Sequence, residues 1–247
     1  MLDSRIRRAI DPALDRLGAI LARWGLGANA VTVAGFAVGM AAWGALAARA
    51  YALAAALILG NRLADGLDGA VARRNGLTDL GGNLDIVLDF FFYAGVPFFF
   101  AVGQPDAALP AAFLIFSFVG TGTSFLAFAA LAAKRGLTTQ TRGRKSIYYL
   151  GGLTEGTETI ALFLLICLLP QHFGLFAWVF GSLCWLTTAS RVLWAVQFFR
   201  GGECDAPRNS SSPGLESAPP TGGAEETAEL ASQRLAGVQT RNPNGAG

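Results

Sequence analysis

The sequence predicts an all-α integral membrane protein, with six transmembrane helices behind an N-terminal interfacial amphipathic helix. Three observations carry that prediction. Apolar residues make up 53% of the chain and charged residues only 15%, where a soluble domain usually carries about 25% charged residues. Apolar windows of roughly 20 residues, the length that spans a bilayer, recur along the chain. Between them, basic and non-basic loops alternate. Helices are the expected spanning element because they satisfy every backbone polar group internally.

The first element is the surface helix. Leu2, Ile6, Ile10, Leu14, Leu17, Leu21 and Trp24 recur at helical spacing, with Arg5, Arg7, Arg8, Asp11, Asp15, Arg16 and Arg23 between them. This pattern fits an amphipathic helix lying on the membrane, with Pro12 as a candidate bend. The alternative is a soluble helix packed on the bundle. No uninterrupted apolar core precedes a cleavage site, so the segment does not read as a signal peptide. Residues 1–28 are assigned to this helix and the entry to the first span, and residues 29–200 to a six-helix transmembrane domain.

The spans follow in order. The windows are 30–48, then a second from Tyr51 past Leu63, then 84–102, 107–133, 147–169 and 173–199. The second is the weakest, because Asn61, Arg62, Asp65 and Asp68 fill its C-terminal half. From about Gly201 the composition changes to Ser210-Ser211-Ser212-Pro213, Pro219-Pro220 and many Gly, Glu and Ala residues. Residues 201–247 therefore read as a disordered cytoplasmic tail.

Loop charge gives the orientation. Five arginines precede the first span, Arg73 and Arg74 separate the second from the third, and Lys134, Arg135, Arg142, Arg144 and Lys145 separate the fourth from the fifth. The opposite loops hold Arg49, Gln104-Pro105-Asp106 and Gln171-His172. The positive-inside rule then places both termini in the cytoplasm. The expected location is multi-pass in a bacterial inner membrane, with the bilayer as partner and no nucleic acid. Cys167, Cys184 and Cys204 form no C-x-x-C pair and read as packing residues. His172 is the only histidine, which argues against a histidine-based active site.

The chemistry sits where the apolar pattern breaks. Asp65 and Asp68 are three residues apart, and Asp85 and Asp89 four, so each pair shares one helix face. A carboxylate at mid-bilayer costs roughly 2.5–3.5 kcal/mol, and four would cost on the order of 10 kcal/mol. Two helices joined by a short connection are expected to pack antiparallel and bring the pairs together at the cytoplasmic end. Such an oxygen-rich set suits a hard divalent cation, Mg²⁺ or Mn²⁺. Those ions also screen a pyrophosphate. Gly69 gives backbone room, Ala72 leaves space for a flat base, and Arg73 is a candidate phosphate contact. Asn75-Gly76 reads as the turn. A bland reading is a helix end with ordinary ion pairs: Arg62 with Asp65, and Arg73 or Arg74 with Asp79.

These residues resemble the signature of the CDP-alcohol phosphotransferase family, D-x2-D-G-x2-A-R-x8-G-x3-D-x3-D. Every fixed residue type has a counterpart in Asp65, Asp68, Gly69, Ala72, Arg73, Gly81, Asp85 and Asp89, but seven residues rather than eight separate Arg73 from Gly81. The shortening falls in the expected turn, where length changes are cheapest. The resemblance implies transfer of a phosphatidyl group from a CDP-linked lipid, commonly CDP-diacylglycerol, to an alcohol acceptor, with release of CMP. It implies that the four aspartates hold one or two divalent ions and that Asp89 is also the general base. It implies that Gly69, Ala72 and Arg73 contact the cytidine diphosphate, and that the protein is a homodimer. Some members instead transfer a phospho-alcohol from a CDP-alcohol to diacylglycerol.

The acceptor is less legible. Arg142, Arg144 and Lys145 either bind an acceptor phosphate or simply obey the positive-inside bias. Arg191, inside the sixth span, and Glu155 and Glu158, on one face of the fifth, either line an acceptor pocket or form a bridge between spans. Glycerol 3-phosphate is the favoured acceptor, because it is a common bacterial acceptor of the resembled family. Two other classes stand against this reading. An aspartate-rich intramembrane prenyltransferase also uses two acidic clusters and Mg²⁺. A cation transporter would place its carboxylates nearer mid-span, along a path crossing the bilayer.

Overall fold

The computed structural model describes residues 2–135, 154 and 156–201. Seven α-helices and no strand occur among them: α1 (Leu2–Arg23), α2 (Ala28–Ala47), α3 (Tyr51–Asn75), α4 (Asp79–Gly103), α5 (Ala108–Lys134), α6 (Gly156–Leu168) and α7 (Phe173–Gly201). Short 3₁₀ turns, Pro105–Ala107 and Pro170–His172, precede α5 and α7. The protein is thus an all-α integral membrane protein. Among the described residues, four segments are long and apolar enough to cross a bilayer: Ala28–Ala47, Asp79–Gly103, Pro105–Lys134 and Pro170–Arg200.

The other two expected spans differ for physical reasons. At 25 residues α3 is about 37 Å long, enough to cross. Its C-terminal half, however, carries Arg62, Asp65, Asp68, Arg73 and Arg74. The fifth span, expected at 147–169, is described only from Gly156, where α6 begins. The expected tail lies outside the described residues apart from Gly201, as does Cys204. Cys167 and Cys184 are buried free thiols, as packing residues should be.

The core runs through the middle and one end of the bundle. Ile58, Phe92, Phe100, Leu114, Phe163 and Phe173 are among its most buried side chains. Phe100 and Phe173 stack with ring centroids 4.0 Å apart, and Trp43 stacks on Phe99 at 5.3 Å. At that same end Arg49 Nε donates to the Gly103 carbonyl at 2.6 Å, tying the α2–α3 turn to the end of α4. The other end is built around the α3–α4 turn. Gly76 has φ +99°, a region that L side chains rarely adopt. The Thr78 hydroxyl then accepts from the Gly81 N–H at 3.0 Å and caps α4, with Asp79 in the first turn of that helix. There a carboxylate suits the helix dipole.

The N-terminal helix packs on this second end. α1 contacts α3, with Leu14 against Gly66 and Gly18 against Ala70. Pro12 lies inside one continuous helix. Ile10, Leu17 and Trp24 remain exposed, Trp24 at 75%. Bundle packing is therefore observed along one side of α1, and an apolar set is left uncovered on the rest.

Candidate active site

The acidic helices do not meet as directly as the short connection suggests. α2 packs against both α3 and α4, while α3 and α4 touch each other only sparingly. Two glycines allow this. A Cβ at Gly35 would lie 2.7 Å from the Ala64 Cβ of α3, and one at Gly39 would lie 2.8 Å from the Phe92 ring of α4. The α2 backbone thus wedges between the two helices and leaves a polar gap beyond it. Asn61 fixes the wedge, its Nδ2 donating to the Gly35 carbonyl at 2.9 Å in a buried bond.

All four aspartates face this gap. Asp68 is seven residues from the end of α3 and Asp85 six from the start of α4, about 10 Å from those ends by helical rise. One carboxylate oxygen from each of Asp65, Asp68 and Asp85 lies within 4.8 Å of the others. Two oxygens on opposite sides of one Mg²⁺ are about 4.2 Å apart, so a sub-ångström shift would fit the trio to a single ion. A second observation points the same way. Asp68 is 7% exposed, and its Oδ2 is buried with no hydrogen-bond partner among the described residues. A buried carboxylate oxygen is costly unless paired, and a hard cation would pair it. The residues present therefore fit a divalent ion.

Asp89 stands apart from that trio. Its Oδ1 is 2.8 Å from Arg62 Nη2. Arg62 Nη1 lies 3.6 Å from Asp65 Oδ2, as the ion-pair reading of the sequence expected. The same guanidinium donates to Asn61 Oδ1 from Nε at 2.9 Å and from Nη2 at 2.7 Å. Its Nη1 reaches the Tyr93 hydroxyl at 3.3 Å. Its carbon lies 4.7 Å from the Phe92 ring centroid and 5.4 Å from that of Tyr93.

Two cavities meet at the acidic residues. The smaller, about 10 Å³, lies among Thr32, Asn61, Arg62 and the four aspartates, room for about one water-sized species. The larger, about 130 Å³, is lined by Asn29, Thr32, Gly69, Ala72, the turn residues 76–78, and Gly81 and Gly82. Asp68 and Asp85 line both. Gly69 and Ala72 thus line the cavity that adjoins the acidic residues. Arg73 is engaged elsewhere: its Nη2 lies 2.9 Å from Asp15 Oδ1 of α1. Arg74 Nη2 donates to the Asp15 carbonyl at 3.2 Å. α1 thus supplies the partner that the sequence reading had sought in Asp79.

The expected acceptor residues are only partly in view. Arg142, Arg144, Lys145 and Glu155 lie outside the described residues. Glu158 is half-buried in the first turn of α6. Arg191 on α7 donates from Nη1 to the Thr121 carbonyl of α5 at 3.3 Å, with its guanidinium 5.7 Å from the Phe125 ring centroid. The Thr154 hydroxyl donates to that of Thr187 at 3.3 Å. Sequence reasoning gave Arg62 no role beyond an ordinary ion pair and passed over Tyr93 and Thr32. An arginine deep in an apolar helix is expensive, and that cost was the signal available for Arg62.

Comparison with known proteins gives the family. The family model described as CDP-alcohol phosphatidyltransferase matches residues 25–193. The inner membrane protein YnjF of Escherichia coli (strain K12) is 54% identical over 193 residues, covering 78% of this chain and 94% of that protein. Among solved structures, the phosphatidylinositol phosphate synthase PgsA1 of Mycobacterium tuberculosis, with CDP-DAG bound, superposes with a TM-score of 0.56. It is 19% identical and covers 82% of this chain and 98% of that one, a likeness of fold. With the motif from Asp65 to Asp89 inside the matched region, the chain belongs to the CDP-alcohol phosphatidyltransferase family.

Proposed function

We propose that this protein transfers a phosphatidyl group from CDP-diacylglycerol to a soluble alcohol, releasing CMP, at the cytoplasmic face of a bacterial inner membrane. The observation that carries the reading is the convergence of Asp65, Asp68 and Asp85 beside the cavity lined by Gly69 and Ala72. Family membership supports the transfer chemistry. The basic loops and the name of the Escherichia coli relative support the location.

The residues divide the work. Gly69 and Ala72 leave the surface beside the acidic trio free of bulk, and a single-ring cytosine would lie there. Asp65, Asp68 and Asp85 would hold a divalent ion, Mg²⁺ or Mn²⁺. Bound there, such an ion would screen the pyrophosphate and make its phosphorus a better electrophile. Asp89 accepts the proton of the alcohol, which is a poor nucleophile until a carboxylate takes it. Arg62 holds Asp89 through Oδ1, so the proton goes to Oδ2. Arg73, at the rim and half-exposed in its pair with Asp15, would exchange that partner for a phosphate oxygen.

The depth of the site favours transfer over transport. The carboxylates lie about 9–15 Å from the helix ends that flank the α3–α4 turn, and the far end of the bundle is packed with the stacked rings of Trp43, Phe99, Phe100 and Phe173. The exposed Ile10 and Leu17 of α1 and Trp24 just after it would enter the lipid interface beside the site, where the diacylglycerol tails remain in the bilayer. Glycerol 3-phosphate is the proposed acceptor, and a homodimer the proposed assembly. The test is an acceptor panel of glycerol 3-phosphate, serine, inositol phosphate, inositol and choline, offered with CDP-diacylglycerol and Mg²⁺ or Mn²⁺. The expected product is a phosphatidyl-glycerophosphate lipid with equimolar CMP. Response to another alcohol would move the acceptor, and response to none would overturn the reading.

A further inference from the structure

We propose that Arg62 is a built-in cation of the acidic site: it holds Asp89 in the place where a second divalent ion would otherwise sit, so that the site takes one ion, on Asp65, Asp68 and Asp85. This rests on the metal-dependent transfer proposed above and deepens it.

The geometry of Arg62 carries the inference. A guanidinium has five N–H donors, and four of them make hydrogen bonds here. Nε and one donor of Nη2 go to Asn61 Oδ1. The second donor of Nη2 goes to Asp89. Nη1 serves the Tyr93 hydroxyl and the longer contact to Asp65. The side chain is 15% exposed and lies against the Phe92 and Tyr93 rings. Asn61 is itself anchored to the α2 backbone at Gly35. A chain of bonds therefore runs from α2 through Asn61 and Arg62 on α3 to Asp89 on α4.

Such a group is not placed to swing out and grip a substrate phosphate, since doing so would break its two bonds to the buried Asn61 and its bond to Asp89. Its positive charge lies between Asp65 and Asp89, at 3.6 and 2.8 Å. A second divalent ion bound by Asp89 would have to displace it or share its ground at close range, where like charges repel. The trio of Asp65, Asp68 and Asp85, with the unpartnered Oδ2 of Asp68, already supplies the oxygens for one ion. Arg62 is thus a positioning residue: it acts on the reaction by fixing Asp89.

Metal loading tests this without any turnover. Mn²⁺ is titrated into the purified full-length protein in detergent, without substrate, and bound ions are counted by electron paramagnetic resonance. The expected result is one Mn²⁺ per chain with the spectrum of an isolated ion. Asp68→Asn should weaken Mn²⁺ by at least about 10-fold, since losing even an outer-shell partner of a metal costs about 10- to 100-fold, while Asp89→Asn should weaken it far less. Arg62→Met should admit a second ion, seen as a spin-coupled pair, and Arg62→Lys should restore the single-ion spectrum. Two ions in the unaltered protein, or a tenfold loss of affinity in Asp89→Asn, would overturn the proposal even if Arg62→Met failed to fold. Because no substrate is present, a missing CMP signal elsewhere would sink the transferase reading and leave this one standing.

Discussion

Asp15 of α1 lies 2.9 Å from Arg73 of α3, so the N-terminal helix holds an arginine of the CDP motif. The two side chains are 48% and 54% exposed, and an ion pair so open to water contributes only about 0.2–1 kcal/mol to stability. Asp15→Asn should therefore shift unfolding by no more than about 1 kcal/mol. Arg73→Gln is expected to act on substrate instead. Losing a charge-assisted hydrogen bond to the pyrophosphate costs about 1.5–3 kcal/mol, a rise of about 10- to 100-fold in KM for CDP-diacylglycerol. Initial rates of CMP release against lipid mole fraction in mixed micelles measure it. An unchanged KM would leave Arg73 with only its structural bond to α1.

The α2 wedge gives a packing prediction with an internal control. A Cβ on Gly39 would lie 2.8 Å from the Phe92 ring and 3.1 Å from Asn61 Nδ2, whereas one on Gly44 would meet nothing within 4 Å. Gly39→Ala should cost about 1–3 kcal/mol through overpacking and lower turnover by displacing Asn61. Gly44→Ala should leave stability unchanged or raise it by up to about 1 kcal/mol, since alanine is the better helix former. Thermal unfolding followed by tryptophan fluorescence in detergent separates the two. Equal midpoints would contradict the close approach of α2 to α4.

Asp89 is expected to be needed for proton transfer rather than for holding the nucleotide. Asp89→Asn should lower kcat by about 10²- to 10⁴-fold, the usual contribution of a general base, with KM for CDP-diacylglycerol little changed. Full activity in this variant would remove Asp89 from the chemistry.

The turn between the acidic helices was legible because its chemistry is local. Asn75-Gly76 announced a break, and Gly76 does adopt a φ of +99°. The fourth and sixth spans were readable for the same reason, as long apolar runs on which α5 and α7 now lie. The four aspartates were conspicuous because their cost in an apolar helix needs an explanation. What sequence could not convey was which helix lies between which. Spacing alone suggested that α3 and α4 pack together, and nothing local says that Gly35 and Gly39 let α2 enter between them. The same gap hid Arg62, whose partners Tyr93 and Asp89 are 31 and 27 residues away. It also hid Asp15, 58 residues from Arg73. Periodicity reports which face a side chain shares with its own helix, and these pairings depend on the neighbouring ones.

Metal dependence follows from the acidic trio. Chelation with EDTA should abolish CMP release, and Mg²⁺ or Mn²⁺ should restore it. Asp68→Asn should resist that rescue except at cation concentrations about 10- to 100-fold higher, the loss that even an outer-shell partner of a metal causes. Activity that survives chelation would separate the chemistry from the acidic site.

The most direct measurement is CMP release from CDP-diacylglycerol by the purified protein in lipid vesicles, with Mg²⁺ and the full acceptor panel, beside Asp68→Asn assayed identically. The account predicts CMP in equal amount to a new phospholipid, requiring both cation and alcohol, and a loss of about 10- to 100-fold in the variant at limiting cation. No CMP with any alcohol, or equal release from Asp68→Asn, would contradict it.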